Sequence, residues 1–311
     1  MAIILDLGSL ATGAILLWIG AVWIVDSAAA IARQFRLSEL TIGLTIVALG
    51  TSMPEFVVTV TASFREMGDI ALSNIIGSNI FNLGIILGIC ALIAPVASSR
   101  TLINRDGLFL LLLTAAILVM LLDMKIGRLS GLILVSVFVC YNLFIFLRGA
   151  RMTIDLEIPE EKKAGGREYL KLCSGFIMIA LGGHLMVDGA ASLAQTMGVG
   201  QWIIGMTIVA AGTSLPELIV CIVAALKGKS EMLLGNLIGS DIFNFAGVLG
   251  LTCLLNPITI SQTAVPSMLT LLGMIALVLV FMKTGLKLGR LEGLILIAIS
   301  LLRWAVDFHV F

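Results

Sequence analysis

The chain has 311 residues, of which 59% are hydrophobic and 12% charged, with a mean hydropathy of +1.14. Soluble domains carry about 25% charged residues, so an ordinary soluble enzyme is excluded. Lys and Arg number 19, as do Asp and Glu, so no basic excess speaks for a nucleic-acid partner.

A membrane helix needs about 20 mostly apolar residues. Ten stretches qualify, near 10–32, 40–64, 70–94, 106–123, 128–147, 169–195, 202–226, 232–255, 264–282 and 290–309. The first lacks a basic leading segment and is long for the core of a signal peptide, so it reads as a true span. Connections are short, and the longest, RGARMTIDLEIPEEKKAGGRE (148–168), is the most charged and reads as a solvated linker. Cys90, Cys140, Cys173, Cys221 and Cys253 lie in apolar stretches without CxxC or metal-ligand spacing. They are expected to be buried, reduced thiols.

The chain repeats itself at an offset of 162 residues without gaps. TIVALGTSMPE (45–55) falls on TIVAAGTSLPE (207–217), IIGSNIFN (75–82) on LIGSDIFN (237–244), and GRLSGLIL (127–134) on GRLEGLIL (289–296). VDSAAAIA (25–32) falls on VDGAASLA (187–194), and Pro95 on Pro257. About half the positions across 42–88 are identical to their mates. The expected fold is therefore an all-α polytopic membrane protein with ten transmembrane helices in two five-helix repeats. These are 1–147, with its motif region at 43–88, and 169–311, with its motif region at 205–250, joined by the linker 148–168. An odd number of spans per unit makes the second repeat start on the opposite side of the bilayer, an inverted repeat as in secondary transporters. With that folding, 15 of the 19 Lys and Arg lie on the side of the linker. The positive-inside rule then puts the linker in the cytoplasm and both termini outside.

Glu55 and Glu217 fall within strongly apolar segments. An ionisable group at that depth costs at least a few kcal/mol and is a functional candidate by default. Each stands in a G-T-S-x-P-E cluster. Pro54 and Pro216 remove a backbone N–H and clash with the preceding turn, so a kinked or broken helix is expected. The carbonyls of Gly50 and Gly212, and with them those of Ala48 and Ala210, are expected to lose helical partners and to line a cavity. Thr51, Ser52, Thr213 and Ser214 add hydroxyls, and the second cluster supplies Ser78 and Asn82, then Ser240 and Asn244. Residues four apart share one helical face. Every donor is an oxygen, the choice of hard cations such as Ca²⁺ and Na⁺. Small polar residues also serve as plain interhelical glue, but two duplicated intramembrane glutamates beside a proline do not fit that role.

GTSMPE with GSNIFN, and GTSLPE with GSDIFN, resemble the two alpha-repeats of the sodium/calcium exchanger family, within the cation/calcium antiporter superfamily. The resemblance covers both halves. It implies two inverted halves that alternate access between Ca²⁺ and Na⁺ loading. The family's ion ligands carried onto this chain are Ala48, Thr51, Ser52, Glu55, Ser78 and Asn82, with Ala210, Thr213, Ser214, Glu217, Ser240 and Asn244 as their mates. Glu55 and Glu217 would be shared by Ca²⁺ and Na⁺. Two positions depart from relatives. Potassium-dependent exchangers and some archaeal ones carry Asp where this chain has Asn244, so no K⁺ requirement is expected. Asp241 replaces the usual Asn of the motif and is a candidate third carboxylate, or a residue facing a neighbouring helix or water. The linker is too short for the regulatory Ca²⁺-binding domains of animal relatives, which suggests a minimal, prokaryotic-type member in the plasma (inner) membrane.

Charge suggests how such a site would couple ions. Two carboxylates about 4 Å apart repel by roughly 4 kcal/mol at an effective dielectric near 20. An empty, doubly charged site is costly to move through an apolar barrier, whereas one Ca²⁺ or several Na⁺ neutralise it. Two protons would do the same, so Ca²⁺/H⁺ exchange stays open as the alternative. A cation channel lined by the same acids is a second alternative. An intramembrane enzyme is not expected, because neither His184 nor His309 stands in a catalytic motif. No cofactor, nucleic acid or protein partner is implied, only the transported ions and the lipid bilayer. Asp26 and Asp188, matched near the ends of spans one and six, are expected to orient an interface. Trp18, Trp23, Trp202 and Trp304 are expected to anchor or pack helices.

Overall fold

The computed structural model describes residues 2–35, 37–152, 165–196, 210–260 and 264–310. Most of these are helical, as long apolar segments must be when no water is at hand to satisfy the backbone. In the first half, α1 is Ala2–Gln34, α2 Glu39–Thr51, α3 Met53–Phe64, α4 Gly68–Ile93, α5 Leu102–Asp123 and α6 Arg128–Met152. In the second half, α7 is Gly166–Thr196, α8 Ala210–Thr213, α9 Leu215–Leu226, α10 Ser230–Leu255, α11 Ala264–Lys283 and α12 Arg290–Val310. Two-residue strands β1 (Val96–Ala97), β2 (Lys125–Ile126), β3 (Ile258–Thr259) and β4 (Lys287–Leu288) lie in the connections.

Among the described residues, seven helices are long and apolar enough to cross a membrane, or eight if the bent pair α2–α3 is counted as one span. The expected seventh span, near 202–226, begins outside the described residues; its described part is α8 and the 12-residue α9. The expected last span is helical over the 21 residues of α12. The first helix starts well before the expected position 10, at Ala2. The linker, apart from its ends, lies outside the described residues.

The repeat is visible in the contacts. A Cβ on Gly13 of α1 would come within 2.8 Å of the Gly182 carbonyl of α7, and one on Gly20 within 2.9 Å of the Gly175 carbonyl. Gly13 and Gly175 are repeat mates, as are Gly20 and Gly182. Glycines at a helix crossing let two backbones approach closely. Ser27 donates to Glu168 further along the same seam. As the residue number rises along α1 it falls equally along α7, so these equivalent helices run antiparallel.

Each half also completes the other's connections. Val96 of β1 pairs with Leu288 of β4, and Ile126 of β2 with Ile258 of β3. The repeat exchanges the two pairs. Ser98 N–H donates to the Leu286 carbonyl and Ile260 N–H to that of Met124, both at 2.8–3.0 Å, and these bonds are mates as well. Met124 and Leu286 share a left-handed φ of 51° and 52°, and Glu66 (φ 60°) matches Gly228 (φ 68°). Connections 94–101 and 284–289 therefore sit at one end of the molecule, and 124–127 and 256–260 at the other. Lys227 pairs with Asp26 and Lys229 with Glu39 at the former end.

Burial divides the helices. In the apolar window of α10, 89% of residues are buried, and in that of α4 78%, against 22% for α6 and 28% for α7. The helices carrying the G-S-[ND]-I-F-N clusters thus form the centre, and apolar outer helices face lipid. That division corrects the reading of the cysteines. Cys90, Cys221 and Cys253 are buried, but Cys140 on α6 and Cys173 on α7 are exposed, because an apolar helix in lipid need not bury its outer face.

Candidate cation-binding site

Both G-T-S-x-P-E clusters break their helix at the same residue. Pro54 and Pro216 cannot donate to the preceding turn, and the chain yields at Ser52 (φ −85°, ψ 13°) and Ser214 (φ −91°, ψ 7°). The α2–α3 bend is 49°. Each break starts a new helix with its glutamate in the first turn, where the positive end of the helix dipole favours a negative charge. One expectation is corrected. The Ala48 carbonyl is not freed, because it keeps its helical bond from Ser52 N–H at 3.1 Å. The proline removes the donor two residues further on, so Gly50 is the carbonyl that loses its partner. Ala210 starts α8, after the undescribed stretch 197–209.

The two breaks face each other. Ser52 Oγ donates to Glu217 Oε1 at 2.7 Å, and Ser214 Oγ donates to Glu55 Oε1 at 2.9 Å. Each bond is the repeat mate of the other. Thr51 Oγ1 lies 3.4 Å from the Ala48 carbonyl and 3.2 Å from Asn236 Oδ1. Thr51, Ser52, Glu55, Ser214 and Glu217 are at most 1% exposed, and Thr213 is 9% exposed.

The second clusters form a matching layer beside the first. Asn82 Nδ2 donates to Asp241 Oδ1 at 3.0 Å, and Asn244 Nδ2 donates to Asn79 Oδ1 at 3.0 Å. These too are repeat mates. Asn244 Nδ2 also lies 3.3 Å from Ser78 Oγ, which donates to the Ile75 carbonyl at 3.1 Å. Ser78, Asn82, Ser240 and Asn244 are all buried. Wide helical turns at Phe81–Ile86 and Phe243–Leu249 cover Asn82 and Asn244, and another at Gly43–Val47 leads into Ala48. Such π-type turns often mark functional positions.

The arrangement leaves acceptors over. Glu55 Oε2, Glu217 Oε2, Asn82 Oδ1, Asn244 Oδ1 and Asp241 Oδ2 are buried without a hydrogen-bond partner. A buried charge ordinarily needs a partner of opposite sign. Asp106 on α5 has one: Arg105 donates to it through Nε at 2.7 Å and Nη2 at 3.0 Å, and Tyr141 OH adds a bond at 2.9 Å. Glu55, Glu217 and Asp241 have only hydroxyl or amide donors. Their leftover oxygens are the kind of donor that a hard cation takes. Among the described residues no three His, Cys, Asp or Glu side chains converge on one metal-sized point.

Two residues absent from the sequence-based set belong to this layer. Asn74 Nδ2 donates to Thr59 Oγ1 at 3.0 Å and to the Glu55 carbonyl at 3.3 Å. Its mate Asn236 accepts from Thr51 and lies 3.4 Å, through Nδ2, from Cys221 Sγ. Both are identical across the repeat and stand one turn before the site serines, which is the signal that could have revealed them. Asp26 and Asp188 stay outside the site. Asp26 meets Lys227 across an interface, as expected, and Asp188 lies 3.2 Å from His184 on its own helix. Trp18 is exposed on the outer surface, and Trp202 and the Trp304 side chain lie outside the described residues.

Comparison with known proteins agrees with this geometry. The family model described as sodium/calcium exchanger protein matches residues 5–147 and 169–302. The chain is 34% identical over 291 residues to the putative antiporter CaxA of Alkalimonas amylolytica, covering 89% of this chain and 91% of that protein. It is 29% identical to the sodium/calcium exchanger MaX1 of Methanosarcina acetivorans, covering 96% and 97%. A solved structure of the sodium-calcium exchanger NCX_Mj superposes with a TM-score of 0.88 at 33% identity, covering 97% of this chain and 99% of that one. The match spans both halves and the site lies in both, so this integral membrane protein belongs to the sodium/calcium exchanger family.

Proposed function

We propose that the protein is a secondary antiporter that exchanges Ca²⁺ for Na⁺ by alternating access. The observation that carries this reading is the reciprocal pair Ser52–Glu217 and Ser214–Glu55, with one unpartnered oxygen left on each buried glutamate. Ca²⁺ takes six to eight oxygens and favours carboxylates. Glu55 and Glu217 would supply its charge. Oxygens of Ala48, Thr51, Ser52, Ser78 and Asn82, and of Ala210, Thr213, Ser214, Ser240 and Asn244, would complete the shells of Ca²⁺ and Na⁺ in turn. No described candidate side chain is more than 9% exposed, so ions reach the site only if helices move. The uncompensated glutamates make that movement costly when the site is empty and easy when it is loaded, which turns binding into exchange.

The antiparallel α1–α7 seam and the paired connections support ten spans in two inverted repeats, 1–147 and 169–311. Basic residues concentrate at the end of Lys227 and Lys229, so that end and the linker 148–168 would face the cytoplasm, with both termini outside a prokaryotic plasma membrane. The test is radiolabelled Ca²⁺ uptake into proteoliposomes under separately imposed Na⁺ and H⁺ gradients. An outward Na⁺ gradient should drive uptake with no K⁺ present, as Asn244 implies. Uptake driven by a proton gradient alone would replace this reading with Ca²⁺/H⁺ exchange.

A further inference from the structure

Asp26 and Asp188 occupy matching places in the repeat and take no part in the exchange site, yet the structure partners them differently. Asp26 of α1 pairs with Lys227, the cap residue after α9. The repeat mates of these two are Asp188 of α7 and Arg65, the cap residue after α3. The caps are alike. Lys227 has φ −89° and ψ 3°, Arg65 has φ −88° and ψ 10°, and their N–H groups donate to the mate carbonyls of Val223 and Thr61. Arg65 is nonetheless exposed and joins no salt bridge among the described residues. Asp188 instead lies 3.2 Å from His184, one turn back on its own helix, a residue whose mate is the uncharged Val22.

The two sets of charges lie at opposite ends of the molecule. The Asp26–Lys227 pair is at the end where α1 stops and α7 starts. Arg65 follows Ser63, whose carbonyl accepts from Asn256 at 2.6 Å in the connection at the other end. A Cβ on Gly189, beside Asp188, would come within 3.1 Å of the Asp6 carbonyl near the start of α1, so Asp188 belongs to that other end too. The helices follow the charges. α1 packs along α9, whereas among the described residues α7 makes no comparable packing on α3. The close glycine crossings, Gly13 on Gly182 and Gly20 on Gly175, tie α1 to α7 as one body. A tilt of that body that brings α7 onto α3 takes α1 off α9, a rigid-body switch between two packings.

We propose that Asp26–Lys227 and Asp188–Arg65 are alternative latches. The first is made in the conformer closed at the linker end, which is that of this structure, and the second in the conformer closed at the other end. Each latch joins an aspartate on the α1–α7 body to a cation on the cap of a broken helix. Exposed ion pairs are weak, and one of them shifts a two-state equilibrium by about two- to fivefold. That is enough to bias which end is closed without trapping the body there. His184 keeps the Asp188 carboxylate occupied while its latch is open.

The inference rests on exchange by alternating access, and the experiment separates the two. Cys140 on α6 and Cys173 on α7 are exposed, while Cys90, Cys221 and Cys253 are buried, so spin labels go onto one natural thiol of each body. Pulsed electron paramagnetic resonance on the labelled protein in proteoliposomes then reads the ratio of the two conformers from the distance between the labels. Asp26→Asn should shift that ratio about two- to fivefold away from the conformer closed at the linker end, and Arg65→Gln by a similar factor towards it. The charge-swapped variants Asp26→Lys/Lys227→Asp and Arg65→Asp/Asp188→Arg should each return the ratio to that of the unmodified protein, which a merely structural role would not do. The latches are overturned if the two single variants shift the ratio in the same direction, if neither shifts it, or if neither swap restores it. One label distance common to the unmodified protein and every variant overturns them as well. Na⁺-driven Ca²⁺ uptake by the unmodified protein tests the exchanger reading alone.

Discussion

The two layers of the site repeat the same geometry with different chemistry. In the first layer the halves are equal: a serine of each holds the glutamate of the other, at 2.7 and 2.9 Å. In the second layer the two cross-half bonds are also equal in length, both 3.0 Å, yet one ends on Asn79 and the other on Asp241. A backbone symmetric enough to repeat its left-handed residues, at φ 51° and 52° and at 60° and 68°, thus tolerates a full charge difference at one pair of mates. Position is set by the duplicated fold. Charge at that position is set by a single residue and can diverge freely.

The largest effect should come from the symmetric layer. Glu55→Gln and Glu217→Gln should each lower Ca²⁺ transport by roughly 100-fold or more, since removing one charge from a buried set costs about 3 kcal/mol. Because the bonds are mates, the two losses should agree within a few-fold in radiolabelled flux. Thermal unfolding should show no loss of stability, as removal of an uncompensated charge relieves the fold. A variant that transports at the unmodified rate would remove that glutamate from the site.

Next come the glycines that open room at the breaks. A Cβ on Gly50 would overlap the Phe176 ring of α7, and one on Gly212 would overlap Val187. Overpacking of this kind costs about 1–3 kcal/mol. Gly50→Ala should therefore lower the unfolding temperature and slow transport, and Phe176→Ala in the same chain should restore part of both. Here the halves are not mates, because both neighbours belong to α7, so the two glycine variants should differ where the two glutamate variants do not.

Smaller losses should follow Ser52→Ala and Ser214→Ala. A hydrogen bond to a charged group is worth about 1.5–3 kcal/mol, so roughly tenfold weaker apparent Ca²⁺ affinity is expected for each, and equally. Smallest of all, Asp26→Asn should change stability by less than about 1 kcal/mol, because its pair with Lys227 is half exposed. A larger change would mean that this interface, and not the motif layers, governs the fold.

Much of this was legible beforehand because a gapless repeat aligns positions without any structure. The two motifs, the broken helices and the glutamates follow from Pro54, Pro216 and their neighbours. Four things are not legible there, each for a physical reason. The sequence shows that a turn breaks but not which carbonyl keeps its donor: Ala48 keeps the Ser52 N–H, and Gly50 faces the proline that has none. Asp241 is three residues from Asn244, a spacing that allows one face or adjoining faces, and only the contact with Asn82 tells them apart. Asn74 and Asn236 fall outside the two motifs, and their partners Thr59 and Thr51 lie on other helices, which only the structure brings together. The exposure of Cys140 and Cys173 on α6 and α7 does not show in the residues, because an apolar helix reads alike whether it meets lipid or protein.

The central claim is that the reciprocal glutamates bind the divalent ion. Crystals of the protein soaked in Sr²⁺ as a Ca²⁺ surrogate would test it through anomalous scattering. The account predicts one dominant peak bridging the carboxylates of Glu55 and Glu217, at about the 2.3–2.6 Å spacing of Ca²⁺-type coordination. A peak centred on Asp241, or at any place that neither glutamate touches, would contradict it.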